Sequence, residues 1–235
     1  MLGYRTIALA SALSAALLSA CGGGGGDAGT TPVGNTIDFP LQAGYKALIS
    51  SGYTINFDVS GSCTGTGTQV NGKPVAATFE GVAGRFAVTS TQSITLPNCG
   101  TSQTITGSAT DYFDASLAAV GSSITDGDYG VFQAAATLPV TVRVGDKGPF
   151  GTELLYADSS KATPTGKDVF SYEIGVDTAS TAIGTLTTQD YDANNVLVFT
   201  EQDRYRIAAD GSLTLLSVDI QYAGTNALHL VLTPK

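Results

Sequence analysis

The densest set of oxygen ligands in the sequence is Asp190-Tyr191-Asp192-Ala193-Asn194-Asn195, with Glu201 at the twelfth position. Asp190, Asp192, Asn194 and Glu201 fit the spacing of an EF-hand-type calcium loop, in which hard carboxylate and amide oxygens wrap a hard cation. Asn195 stands where such loops place glycine, although Asn tolerates left-handed backbone. The flanks alternate as strands, which would set Glu201 along a strand and away from Asp190. The flanks therefore favour a hairpin turn whose Asp and Asn side chains serve the backbone, with calcium as the candidate ligand and no other cofactor expected. Other chemistry is harder to assemble. The single histidine, His229, lies between Leu228 and Leu230, which places it on the outward face of a strand. A Ser-His-acid triad needs that histidine in a pocket, and no Gly-x-Ser-x-Gly elbow occurs. Of the four glutamates, Glu173 and Glu201 fall on expected strands and could face each other as the two carboxyls of a glycoside hydrolase. No spacing rule ties them, so the chain is expected not to be an enzyme, and a carboxylate-dependent hydrolase is the catalytic alternative.

The elements that would position these groups read as strands. Ile55, Phe57 and Val59 alternate with Thr54, Asn56 and Asp58; Phe170, Tyr172 and Ile174 oppose Ser171 and Glu173; Leu216, Val218 and Ile220 oppose Ser217 and Asp219. A period of two describes a half-buried antiparallel strand with one wet face. Asn71-Gly72, Asn194-Asn195 and Asp210-Gly211 supply positive-φ turn residues between such runs. The pattern predicts an all-β protein of 13 or 14 strands, an antiparallel β-sandwich or a barrel-like meander in one or two β units. Helix is expected at most in short pieces, over Tyr45 to Ser50 and Phe132 to Thr137.

Composition agrees. Of 235 residues 43% are apolar and only 13% charged, while Ser and Thr number about 50. The chain can bury a core, and its polarity is mostly uncharged. A formal charge of −9 argues against nucleic acid as a partner.

The amino terminus is an export address. Met1 to Arg5 carries one positive charge, Thr6 to Ala20 is an uncharged Ala/Leu/Ser run, and Leu18-Ser19-Ala20-Cys21 closes it. This resembles the bacterial lipoprotein signal peptide with its lipobox. The resemblance implies cleavage before Cys21, which removes 20 residues including Arg5, leaves 215, and takes the charge from −9 to −10. It also implies acylation of Cys21 (palmitate among the chains), which anchors the protein in a lipid bilayer. Gly22 after the cysteine implies delivery to the outer membrane if the cell is Gram-negative. Residues 21–36, with five consecutive glycines, read as a coil tether spanning roughly 20 Å. The remainder looks like the uncharacterised envelope lipoproteins that carry a glycine run after the lipidated cysteine.

With Cys21 consumed, Cys63 and Cys99 are left as an even pair in an oxidising compartment, and a disulfide is expected. The organisation expected is a signal peptide over 1–20, a tether over 21–36, a disulfide-bridged β unit over 37–136 and a seven-strand meander over 137–235. The function expected is a membrane-anchored envelope lipoprotein with a non-catalytic binding or scaffolding role toward a protein or glycan. The alternative is a recognition module for a glycan or envelope component, steadied by calcium.

Overall fold

The structure is a computed structural model that describes residues 36–125, 127–224 and 227–235. The signal peptide, Cys21 and the tether lie outside the described residues. The described elements are the helix α1 (Leu41–Ser51) and the strands β1 (Tyr53–Gly61), β2 (Gly65–Asn71), β3 (Val75–Phe79), β4 (Val82–Leu96), β5 (Gln103–Phe113), β6 (Ala119–Ile124), β7 (Tyr129–Ala136), β8 (Lys147–Tyr156), β9 (Pro164–Val176), β10 (Thr181–Asp192), β11 (Leu197–Ala208), β12 (Leu213–Tyr222) and β13 (His229–Pro234).

Apart from β2 and β3, which both pair with β4, strands adjacent in sequence pair antiparallel, and β1 also pairs with β13. The sheet therefore closes into a barrel of twelve staves, because β2 and β3 lie end to end along one edge of β4. Alternation makes this closure possible: each strand offers one apolar face to an interior and one polar face to water. Asn71-Gly72 is not a hairpin turn. The Gly72 N–H donates to Thr89 O at 2.8 Å, so the chain continues along β4 instead of reversing. The 37–136 and 137–235 segments do not form separate bodies. Residue 137 falls in the connection between β7 and β8, which are themselves paired, and six strands rather than seven follow it. Phe132 to Ala136 is strand, not helix.

The helix arises where expected. Leu41, Tyr45, Leu48 and Ile49 recur at helical spacing and make one apolar stripe. Gly52, with φ of 63°, ends it. Gln42 Nε2 donates to Thr137 Oγ1 at 2.7 Å, and Gly44 lies so close to the Gly211 carbonyl that a methyl group there would overlap it. Ile49 packs on Val88 and Phe113. The helix thus plugs the end of the barrel formed by the β7–β8 and β11–β12 connections.

At the opposite end a Cys63–Cys99 disulfide ties the β1–β2 turn to the β4–β5 turn, with Cα atoms 5.1 Å apart. The main apolar core lines the β1–β13 seam and extends under β9, β10 and β11 through Ile174, Leu186 and Phe199. Phe39, Leu48, Phe57, Leu96, Val142, Ile207, Leu230 and Leu232 belong to it.

One hairpin departs from the cylinder. The β3–β4 ladder slips between Ala77 and Thr78, opposite Gly84, whose φ is 76°. Such a bulge bends a hairpin. The bent tip turns back over the outer wall, where Phe79 stacks on Tyr112 at 4.3 Å between ring centroids and meets Tyr129 at 5.5 Å. Beneath it Gly121 has no side chain, and a Cβ there would overlap the Phe79 ring. Glu80 accepts from the Tyr129 hydroxyl at 2.7 Å and pairs with Lys161 in the β8–β9 turn.

Candidate functional site

The barrel interior is not uniformly apolar. Asp168, Glu153, Glu201 and Asp203 are buried, as are Gln69, Asn71, Ser90, Gln92 and Ser122. The strand registers explain how carboxyls converge. Glu153 on β8 lies directly opposite Asp168 on β9, and Asp168 lies directly opposite Asp190 on β10. Asp190 in turn faces Phe199, two residues before Glu201 on β11, so Glu201 is its diagonal neighbour and Asp203 follows on the same face. Asp111 on β5 extends the set, being opposite Ser122 on β6, itself opposite Gly130 on β7. A methyl group at Gly130 would overlap the Glu153 carboxyl, so the site requires glycine there.

Aromatic rings stand beside the row. Phe132 and Phe170 flank Glu153 and Asp168, with ring centroids 5.3 Å apart, and Phe150 meets Phe170 at 5.7 Å. A carboxylate in such surroundings loses hydration, which favours its neutral form. Burial pushes Glu153 up to about 8, with Asp111 adding to the shift and Ser122 opposing it. Burial alone takes Asp111 and Glu201 to about 7. Asp168 is driven well above the usual carboxyl range by burial first, then by Glu153 and Asp190. Asp203 rises through burial and then Glu201. Tyr45 of α1 is held in its neutral form by burial first and then by Asp111, the Tyr53 hydroxyl and Asp203. That links the plug to carboxyls on two separate walls.

The calcium-loop candidates divide. Asp190 and Glu201 come together on the inner wall, contrary to the expectation that strand flanks would part them. A ladder places residues two apart within diagonal reach. Asp192 instead shapes the hairpin turn: its Oδ1 accepts from the Asn194 N–H at 2.9 Å and the Val196 N–H at 2.8 Å. Asn195 holds φ of 62°. Asp192 and Asn194 thus belong to the turn and Asp190 and Glu201 to the lumen. Among the described residues no three His, Cys, Asp or Glu side chains converge at metal-holding distance.

The Glu173–Glu201 pair is likewise divided. Glu173 faces out and Glu201 in, since Glu173 shares the parity of Ser171 and stands opposite Thr185. His229 stands on the outer face, with its Nε2 3.0 Å from Asp219 Oδ1. Arg206 pairs with Asp177 at 2.7 Å.

Glu153, Asp168, Asp203 and Asp111 escaped sequence reasoning. A signal existed for two of them. Asp168 shares the parity of Phe170, Tyr172 and Ile174, and Asp203 that of Phe199, Tyr205 and Ile207. An acid in phase with an apolar stripe points inward.

No protein-family profile, curated protein or solved structure matches this chain.

Proposed function

We propose that this protein is a lipid-anchored envelope protein whose β-barrel body stands in water and acts by binding or scaffolding rather than by catalysis. The observation that carries the reading is the mismatch between the barrel and a membrane. A bilayer-spanning barrel needs an outward apolar band about 25 Å tall. Here the outward positions include Thr54, Asn56 and Asp58 on β1, Thr89, Thr91, Ser93 and Thr95 on β4, and Gln202, Arg204 and Arg206 on β11. Such a wall suits solvent, so a membrane station would depend on a separate anchor, and the lipobox cysteine Cys21 supplies one. The exterior also accounts for the low charge density, since Ser and Thr solvate the staves without ionic groups.

The outer surface is where a protein or glycan partner would bind, because the helix α1 stands across one end of the barrel. Replacing Cys21 with Ala and following palmitate incorporation and membrane fractionation tests the anchor. The expected result is loss of label and either accumulation of unprocessed precursor or release of the barrel into the soluble exported fraction. Full membrane retention of the unlabelled variant at the processed length would overturn the reading.

A further inference from the structure

The row Glu153, Asp168 and Asp190 joins three consecutive staves, each side chain directly opposite the next. Like charges directly opposed across a ladder destabilise it. Asp168 is 0% exposed and Glu153 1% exposed. Both Asp168 carboxyl oxygens and Glu153 Oε1 meet no hydrogen-bond donor of the protein. The groups facing the row from each packed element are Ser122 of β6, Gly130 and Phe132 of β7, Glu201 and Asp203 of β11, Asp111 of β5, and Tyr45 of α1. None is a cation. Among the described residues the fully buried polar and charged side chains include no Lys or Arg; Lys167, beside Asp168 in sequence, lies on the outer face with its Nζ 5.3 Å from the Tyr191 ring centroid. Protons are therefore the charge-neutralising species that Glu153 and Asp168 can draw on.

We infer that the Glu153–Asp168–Asp190 row is a proton-operated clasp in the barrel wall. With protons shared along it, the row holds β8, β9 and β10 together. When those protons leave to solvent, the three staves loosen locally while the β1–β13 seam stays shut. Glu153 titrates near 8 under burial, and Asp168 is also raised, so the change of state falls near neutral pH rather than in acid. Glu153 and Asp190 flank Asp168 from both sides, so the charge on either opposes the ionisation of Asp168.

Hydrogen exchange on the full-length protein between pH 6 and pH 9, corrected for intrinsic exchange, tests the clasp. Any fall in the protection of β1, β12 and β13 reports the stability of the whole barrel, and the β8, β9 and β10 amides are expected to fall by about tenfold or more beyond it. Asp168→Asn should flatten the dependence, and Glu153→Gln should reduce it. Equal pH dependence in both regions, or a dependence unchanged in both variants, would overturn the clasp. So would full recovery of protection at pH 9 on adding millimolar calcium, which would make the row a cation site. Should both variants fail to fold, difference titration of the wild-type chain decides. The folded protein is expected to release at least about one more proton than the unfolded chain between pH 6 and pH 9, and no excess release overturns the proposal.

Discussion

The two sides of the barrel are built on opposite principles. Around the seam, β1, β12 and β13 turn Phe57, Val59, Val218, Ile220, Leu230 and Leu232 into an apolar core that holds no carboxyl and no cation. Across the lumen, β8 to β11 turn Glu153, Asp168, Asp190, Glu201 and Asp203 inward against aromatic rings. Both are strand ladders of the same hand and pairing, so the backbone does not tell them apart. The difference lies in what each needs from solution. Dispersion and burial are indifferent to pH, whereas a carboxyl ladder is cohesive only while protonated.

Substitutions and solvent conditions can break this contrast, and the largest effect belongs to the dry side. Phe57 is 0% exposed, and Phe57→Ala should cost about 3–5 kcal/mol of unfolding free energy by denaturant titration, equally at pH 5 and pH 8. Replacing Cys63 and Cys99 with Ser should cost about 2–4 kcal/mol, close to the ~3.8 expected for a loop of this length, again without pH dependence.

The acidic side supplies the opposite case. Its carboxyls bind protons more tightly folded than unfolded. Their stabilising protonation is complete below about pH 4 and is lost as pH rises through the folded values of about 7 for Asp111 and Glu201 and about 8 for Glu153. Unfolding free energy should therefore fall by at least about 2 kcal/mol from pH 5 to pH 8, and a flat profile would contradict this account of the interior.

Smaller effects fall on the outer wall. Gly121→Ala should displace Phe79 and cost about 1–3 kcal/mol, read from the thermal midpoint and from increased proteolysis at the β3–β4 tip. Glu80→Gln weakens a half-exposed pair with Lys161 and should cost no more than about 1 kcal/mol, diminishing with salt.

Much of the fold was legible because alternation is local. The all-β character, the strand count and the helix near Tyr45 to Ser50 follow from periods of two and of 3.6. The Cys63–Cys99 bridge was readable from cysteine parity once Cys21 was set aside. Closure into one barrel was not legible, since it depends on β1 meeting β13 across the whole chain. Nor was the continuation through Asn71-Gly72, where Gly72 keeps its ladder bond to Thr89 and a pair favoured in turns serves as a joint between β2 and β3. The carboxyl row was half legible. The parity of Asp168 and Asp203 was present in the sequence, but the direct facing of Glu153, Asp168 and Asp190 is a matter of register, and a slip of one residue would turn each acid outward. The calcium spacing of Asp190 to Glu201 measured distance along the chain, whereas the strands made it a distance across a ladder.

The seam also dictates an order of assembly. Its two strands are separated by nearly the entire body, Phe57 meeting Pro234, so the ring can shut only when β13 has been made. Until then the growing sheet is an open ribbon with two raw margins, both capable of recruiting a strand from another molecule. Asp58 and Lys235 stand at the joint as opposite charges, and they settle 2.9 Å apart when the ring closes. A chain halted before His229 would keep both margins for good, and its expected fate is association with its own kind rather than a smaller barrel.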